Sequence, residues 1–379
     1  MEKGQKLPDL TLIILSAGNS TRFGTCVKKQ WLRVGDDPLW KFVADRFTSN
    51  INFSDVIITA SSLEISYMRK HCNFTIVEGG ESRQESLTNA LNLVKTSHVL
   101  VTDVARACIP LDMIHRVINS FKEADIIVPY LGVYDSVVYE NETIDRDKIK
   151  LIQTPQLSKS SVLKQALRQK EIFTDDSSAV KSIGGSVFYV DGSTKAKKIT
   201  KYDDLEELEC LNKPKSSTFI GTGFDVHQFC EGKKMYLGGV EINSKFGFLA
   251  HSDGDVVIHA LIDAILGAIG AGDIGELFPD NDDRYKNLDS KVMLKDVVKF
   301  IKNVGYEIVN VDITIMAETP RLSNYKEKMR KVIASILIVN EIKVNIKATT
   351  TEKLGFIGRE EGVAVEAVAS LNYFNWKRI

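Results

Sequence analysis

Short apolar runs rich in β-branched residues recur through the first third of the chain, at Leu12–Leu15, Val56–Ile58, Val99–Val101 and Asp125–Pro129. Brief runs that are apolar throughout, rather than alternating, fit strands buried on both faces. Between them lie helical patterns such as Ser86–Lys95 and Asp112–Ala124. Strand–helix alternation folds as α/β around a mostly parallel, Rossmann-like sheet, with ligands at the carboxyl ends of the strands. Ala17, Gly18 and Asp103 fall at such ends.

The alternation stops at Asn212–Ser217, a polar stretch with a proline and no apolar periodicity, which reads as a linker. A chain of 379 residues exceeds what one core usually serves. The expectation is therefore a domain over 1–211, a linker over 212–217 and a second domain over 218–379. The second half shows strand patterns at Thr218–Val226, Val309–Met316 and Val344–Ala348 and a helical pattern over Tyr325–Val339. Its Asp255–Ile269 helix is apolar almost all round and so is buried. This half is expected to be α+β.

The net charge of -1 gives no electrostatic reason to expect a nucleic acid or an anionic membrane as partner. No apolar run approaches the roughly 20 residues that span a bilayer, and Met1–Asp9 carries no apolar signal region. Cys26, Cys72, Cys108, Cys210 and Cys230 are scattered and form no CxxC pair. Neither a disulfide framework nor a thiolate zinc site is suggested, and a reduced, cytoplasmic protein is expected.

Leu15–Gly24 runs from a strand into a glycine-bounded loop, where small residues let backbone N–H groups approach a phosphate. It is neither a Walker loop nor GxGxxG. Arg22, Lys28 and Lys29 add the positive charge that a departing pyrophosphate needs. An ordinary strand-to-helix turn with solvated basic residues explains the loop alone equally well. Asp103, at a strand's end, is placed either to hold Mg²⁺ beside phosphates or to cap the next turn.

In the second half, Asp225 and His227 stand at i and i+2, on one face of a strand. His259 is a polar residue on the buried helix. One carboxylate and two imidazoles suit a catalytic zinc with its fourth position open; an isolated Asp-x-His pair is equally a hydrogen-bonded core histidine. Asp263, one helical turn beyond His259, either accepts the other imidazole N–H or points to solvent.

Taken in order, Ala17-Gly18-x-x-x-Arg22, Lys29-Gln30, Gly79-Gly80-Glu81-x-Arg83-x-x-Ser86, Asp103-x-x-Arg106, Thr154-Pro155-Gln156 and Thr174-Asp175-Asp176 resemble the 2-C-methyl-D-erythritol 4-phosphate cytidylyltransferases over roughly residues 10–210. The resemblance implies that CTP and methylerythritol phosphate give CDP-methylerythritol and pyrophosphate. Ala17 and Gly18 would line the nucleotide site, and Arg22, Lys29 and Lys198 would stabilise the triphosphate and transition state. Asp103 would hold Mg²⁺. Glu81 and Ser86 would recognise cytosine, and Arg106, Ser136 and Arg146 would grip methylerythritol phosphate. Lys28 stands where that family has proline, an extra cation beside Lys29.

His251-Ser252-Asp253-Gly254-Asp255, Gly272-Asp273-Ile274-Gly275 through Asp280, and Lys347–Gly355 are similar to the 2-C-methyl-D-erythritol 2,4-cyclodiphosphate synthases over about 218–374. That resemblance implies conversion of CDP-methylerythritol 2-phosphate to the cyclodiphosphate and CMP. Asp225, His227 and His259 would bind Zn²⁺, and Glu352 a second ion, Mg²⁺ or Mn²⁺. His251 and Ser252 would contact the substrate phosphate, and Asp273, with Gly275 and Asp280 in its motif, the erythritol. Thr350 and Thr351 would line the nucleotide phosphates, and Ala317–Leu322, including Pro320 and Arg321, the cytosine pocket. Phe356 and Arg359 would face a central cavity of a trimer. The synthase family implies a homotrimer and the usually dimeric transferase family a hexamer. Two other readings stay open on sequence: a different sugar-phosphate nucleotidyltransferase in the first half, or a silent first half kept for assembly.

Overall fold

The computed structural model describes residues 7–169, 171–250, 252–279 and 288–377. The chain divides into two compact units between Lys213 and Pro214. No helix among the described residues is long and apolar enough to cross a membrane.

The first unit is built on strands β1 (Leu10–Leu15), β2 (Asp55–Ala60), β3 (Thr75–Glu78), β4 (His98–Asp103), β5 (Ile126–Gly132), β6 (Lys150–Ile152), β7 (Gln156–Lys159) and β8 (Val187–Asp191). Their order in the sheet is β6-β5-β7-β4-β1-β2-β3, with β8 beside β5. β1 pairs in parallel with both β2 and β4, and only β6 and β7 run antiparallel to their neighbours. Every residue of β1 is buried, as a strand covered on both faces requires. The register sets Leu15 opposite Asp103, so the loop after β1 opens directly beside that carboxylate. The chain leaves β1 toward β2 on one side and returns to β4 on the other, which makes this crevice the topological switch point of the sheet.

Helix α1 (Arg83–Leu91) starts three residues before the expected Ser86, because the Ser82 hydroxyl accepts from Glu85 N at 3.0 Å and caps it. The expected helix over Asp112–Ala124 is Leu111–Asn119. Helix α2 (Asp176–Ser182) is capped by Asp175. The cysteine expectation is corrected: Cys108 and Cys210 are joined as a disulfide, with Cα atoms 5.7 Å apart across 102 residues of sequence. Spacing carries no information about a pairing that depends on where the last segment of the unit returns.

The second unit holds strands β9 (Thr218–Glu231), β10 (Phe246–Phe248), β11 (Tyr306–Met316), β12 (Val344–Thr349) and β13 (Gly362–Tyr373), in the order β10-β9-β13-β11-β12. All neighbours are antiparallel except β11 and β12. Helix α3 (Val256–Ala268) lies directly on β9. A Cβ on Gly221 would sit 2.2 Å from Ala264 O, and one on Gly223 2.0 Å from Ala260 O. Glycines facing alanines thus bring helix and strand backbones closer than side chains allow. Beyond α3, helix α4 (Ser290–Asn303) presents a buried apolar face, and helix α5 (Lys326–Leu337) precedes β12.

Candidate active sites

In the first unit, a cleft of about 380 Å³ lies at the ends of β1 and β4. It is lined by Ala17, Gly18, Arg22, Lys29, Glu81, Ser86, Asp103 and Lys198, among others. The loop is held in shape by a buried glutamine: Gln30 Nε2 donates to Gly18 O at 3.0 Å and Gln30 Oε1 accepts from Ser20 Oγ at 3.3 Å. Ser20 has φ 55° and its hydroxyl accepts from Lys29 N at 3.0 Å. Ser86 is buried, accepting from Gly80 N at 3.0 Å and donating to Ser82 O at 2.9 Å, so it shapes the turn behind Glu81.

Asp103 is the electrostatic centre. Lys198 Nζ lies 2.6 Å from one carboxylate oxygen and Arg83 Nε 3.4 Å from the other. Burial favours its neutral form, but Arg83 and Lys198 outweigh it and hold the carboxyl down at about 2. Lys29 donates from Nζ to Ile199 O at 2.9 Å. Burial lowers its pKa, helped by Lys198 and Arg22, so three cations crowd one wall. Arg83, inside the Gly79–Ser86 motif, carries no local sequence signal for its role beside Asp103. It also binds Asp176, a carboxylate only 1% exposed, at 2.6 Å. Lys28 is corrected: it pairs with buried Glu64 at 2.5 Å and adds no free charge beside Lys29.

The grip expected on the second substrate is not assembled in this cleft. Arg106 is turned to Ala196 O at 2.6 Å and Ile152 O at 3.3 Å. Ser136 and Arg146 are exposed beside the Val137–Tyr139/Glu142–Ile144 hairpin and do not line the cleft.

In the second unit, β9 turns Asp225 and His227 toward α3, which carries His259. Asp225 Oδ2 lies 3.2 Å from His227 Nε2 and 3.3 Å from His259 Nδ1. The three ligand atoms lie within 4.8 Å of one another, and this is the one such cluster among the described residues. When protonated, both imidazoles donate to Asp225 and, against burial, hold its carboxyl well below its usual range. His227 Nδ1 lies 2.9 Å from Gly254 O; a carbonyl only accepts, so Nδ1 carries a proton and, in the neutral ring, Nε2 the lone pair. Asp255 caps α3 and accepts from Gly238 N and Gly239 N at 2.8 and 2.5 Å. Neither alternative for Asp263, the His259 imidazole or solvent, is what the structure shows: it accepts from Ile274 N at 2.8 Å, which ties the Asp273–Gly275 segment to α3. His259 Nε2 instead meets Ser290 Oγ at 3.0 Å and Ser252 Oγ at 3.3 Å. His251 and Asp280 lie outside the described residues.

A second group of expected residues gathers at the ends of β11 and β12. Glu318 Oε1 accepts from Thr351 N and Lys353 N, both at 3.0 Å, binding Ala317–Leu322 to Thr350–Glu352. Thr350 Oγ1 donates to Glu352 Oε1 at 3.0 Å, and Glu352 has φ 52°. Arg359 is exposed and paired with Glu361 at 2.8 Å, and Phe356 is 38% exposed. Register separates the two groups: Asp225 on β9 pairs Val365 on β13, which pairs Ile315 on β11, which pairs Ala348 on β12. Three strand spacings amount to about 14 Å.

A family model described as 2-C-methyl-D-erythritol 4-phosphate cytidylyltransferase matches residues 10–212, and the YgbB family matches residues 218–372. The bifunctional enzyme IspD/IspF of Aliarcobacter butzleri is 55% identical over 371 residues, 98% of this chain and 99% of that protein. Its counterpart in Campylobacter fetus is 54% identical over 372 residues, again 98% and 99% of the two chains. The solved structure of the bifunctional IspDF from Campylobacter jejuni superposes with a TM-score of 0.87 at 47% identity, covering 98% of this chain and 100% of that one.

The Asp103 network makes a pH prediction. Its folded pKa of about 2 lies below the unfolded value of about 3.9, so its stabilisation is complete above that value and is lost as pH falls through the folded one. Between pH 4.5 and 2, wild type should lose roughly 2 kcal/mol more stability in the first unit than Asp103→Asn. Urea unfolding followed by Trp31 and Trp40 fluorescence, in a Trp376→Phe background, measures it; parallel pH profiles would contradict the assignment.

Proposed function

The chain belongs to the family of bifunctional IspD/IspF enzymes, with cytidylyltransferase and cyclodiphosphate synthase activities, and on that premise we propose which of its residues carry each reaction. The observation that carries the proposal is the gathering of Arg22, Lys29 and Lys198 about Asp103 in one cleft and of Asp225, His227 and His259 in one cluster.

In the first reaction a phosphate oxygen of methylerythritol phosphate attacks the α-phosphorus of CTP. The P–O bond to the β-phosphate breaks and pyrophosphate leaves with the electron pair. No protein nucleophile is needed; the work is positioning and charge neutralisation. Backbone groups of Ala17 and Gly18 cradle the triphosphate, and Glu81, on the turn that Ser86 shapes, faces the base. Arg22, Lys29 and Lys198 face the charge that develops on the leaving group. Asp103, ionised at any physiological pH, is the group able to hold Mg²⁺.

In the second reaction a 2-phosphate oxygen closes on the β-phosphorus, and CMP leaves as the bridging P–O bond breaks. Asp225, His227 and His259 fit Zn²⁺: one carboxylate held ionised and imidazoles whose outer nitrogens are engaged elsewhere. When bound, the ion supplies Lewis-acid charge to a phosphoryl oxygen. Glu352 would hold a second divalent ion, Mg²⁺ or Mn²⁺, whose charge would offset that of the diphosphate. Ser252, Asp273 and Gly275 face the substrate's phosphate and polyol, while Thr350, Thr351 and Ala317–Leu322 hold the nucleotide.

The separation between the metal ligands and the nucleotide segments supports a site shared by neighbouring copies in a trimer. So does the outer face of β9, where Ile220 is 68% and Phe224 61% exposed. The exposed Val138 and Tyr139 of the hairpin beside Ser136 and Arg146 support a further contact between first units, giving a hexamer.

Two predictions follow from this assignment. Asp103→Asn should lose at least a hundredfold in pyrophosphate release yet keep cyclase activity within twofold, whereas His259→Ala should lose cyclase activity and bound zinc but keep pyrophosphate release. Radiometric assays and elemental analysis on the same preparations read both; joint loss in a folded variant would refute independent sites. Co-expressed His259→Ala and Glu352→Ala chains should recover cyclase activity in mixed trimers, since one shared site then has both wild-type halves. A mixture as inactive as each variant alone would place the whole site within one chain.

A further inference from the structure

His259 differs from His227 in how its outer nitrogen is held. His227 leans on a backbone carbonyl, which accepts and nothing else. His259 leans on a hydroxyl, which can donate or accept and by itself leaves the imidazole tautomer undecided. The ambiguity is removed one step further out. Ser290, the first residue of α4, is 0% exposed and stands 31 positions after His259. Its Oγ lies 2.5 Å from Asp253 Oδ1, and its backbone N–H donates to Asp253 Oδ2 at 3.2 Å. Asp253 also accepts from Asp255 N at 3.3 Å, so its carboxylate is fixed on both sides.

Both Asp253 oxygens already accept from backbone N–H groups, so they offer Ser290 acceptor positions and its hydroxyl donates its one proton to Oδ1. What remains toward His259 is a lone pair, which requires Nε2 to carry a proton. In the neutral ring Nδ1 then carries the lone pair, 3.3 Å from Asp225 Oδ2, and two such acceptors face each other only across a cation. We propose that Asp253 and Ser290 form a positioning pair that fixes His259 as the Nδ1 donor and so sets the affinity of the Asp225–His227–His259 centre for its metal. This rests on those three residues being the metal ligands. Ser252 Oγ is also near Nε2, at 3.3 Å, but it accepts from Gly254 N at 3.1 Å, and no carboxylate among the described residues accepts its proton.

The two parts of the pair differ in what their loss does. Ser290→Ala removes the hydroxyl and leaves the tautomer free. Asp253→Asn keeps the shape but supplies an N–H that can reverse the Ser290 hydroxyl, making it a donor to Nε2 and favouring the wrong tautomer.

The test is zinc affinity of the full-length protein by chelator competition, alongside the thermal midpoint of the metal-free protein. Ser290→Ala and Asp253→Asn should each weaken zinc binding by roughly ten- to a hundredfold, the range for partners behind a metal ligand. The midpoint without metal should move little. Ser290→Thr, which keeps a hydroxyl, should restore affinity, and Asp253→Asn should add little in the Ser290→Ala background. ¹⁵N spectra of wild type should show His259 protonated at Nε2. If Ser290→Ala binds zinc as tightly as wild type, or if Ser252→Ala alone causes the loss, the proposal is overturned. A loss that the alanine and threonine variants share, with a lowered midpoint, would make Ser290 a packing residue and overturn it equally.

Discussion

Both reactions bring one phosphate onto another, and the repulsion between them is the constraint around which the chain is organised. Two unit charges 4 Å apart repel by about 1 kcal/mol in water but by about 4 kcal/mol at the effective dielectric of a protein cleft. A site that excludes water must therefore hold positive charge where the phosphates meet, and hold it still. Cations placed together repel one another, so each must be anchored by groups that do not neutralise it fully. In the first unit the anchor is Asp103, flanked by Lys198 and Arg83, with Arg83 pinned in turn by buried Asp176. The local balance leaves Lys29 and Arg22 turned toward the cleft.

The second unit meets the same constraint with groups able to hold a metal rather than with lysines, and its geometry comes from backbone proximity. Gly221 and Gly223 let α3 settle on β9, which brings His259 to the face shared by Asp225 and His227. The segment Ser252–Asp255 then serves both imidazoles and the helix that carries His259. Ser252 reaches His259, Asp253 takes Ser290, Gly254 takes His227, and Asp255 caps the helix. Four consecutive residues thus fix both imidazoles and the element that carries one of them.

Much of this was legible in the chain. Strand ends placed Ala17 and Asp103 at the crevice, and the spacing of Asp225 and His227 with a lone histidine on an apolar helix predicted the cluster. What escaped were contacts between residues far apart in sequence with no periodic signal. Arg83 and Asp176 stand 93 residues apart, and their part-buried ion pair leaves only two polar residues inside quoted motifs. Ser290 follows an aspartate and reads as part of a helix start; nothing local connects its hydroxyl to a histidine one helix away. Asp263 was the natural candidate at one helical turn, but the neighbouring loop claims it through Ile274 N. Lys28 looked like added charge because Glu64, its partner 36 residues on, is hidden by the fold.

The central claim is that one chain holds two separate charge-stabilised sites for two non-consecutive steps. Phosphorus-31 NMR of the full-length protein tests it most directly. Supplied with methylerythritol phosphate, CTP and Mg²⁺, the protein should release pyrophosphate and stop at CDP-methylerythritol. Supplied with CDP-methylerythritol 2-phosphate, it should release CMP and form the cyclic diphosphate. Turnover of only one substrate, or passage from methylerythritol phosphate to the cyclic product with no added kinase, would contradict it.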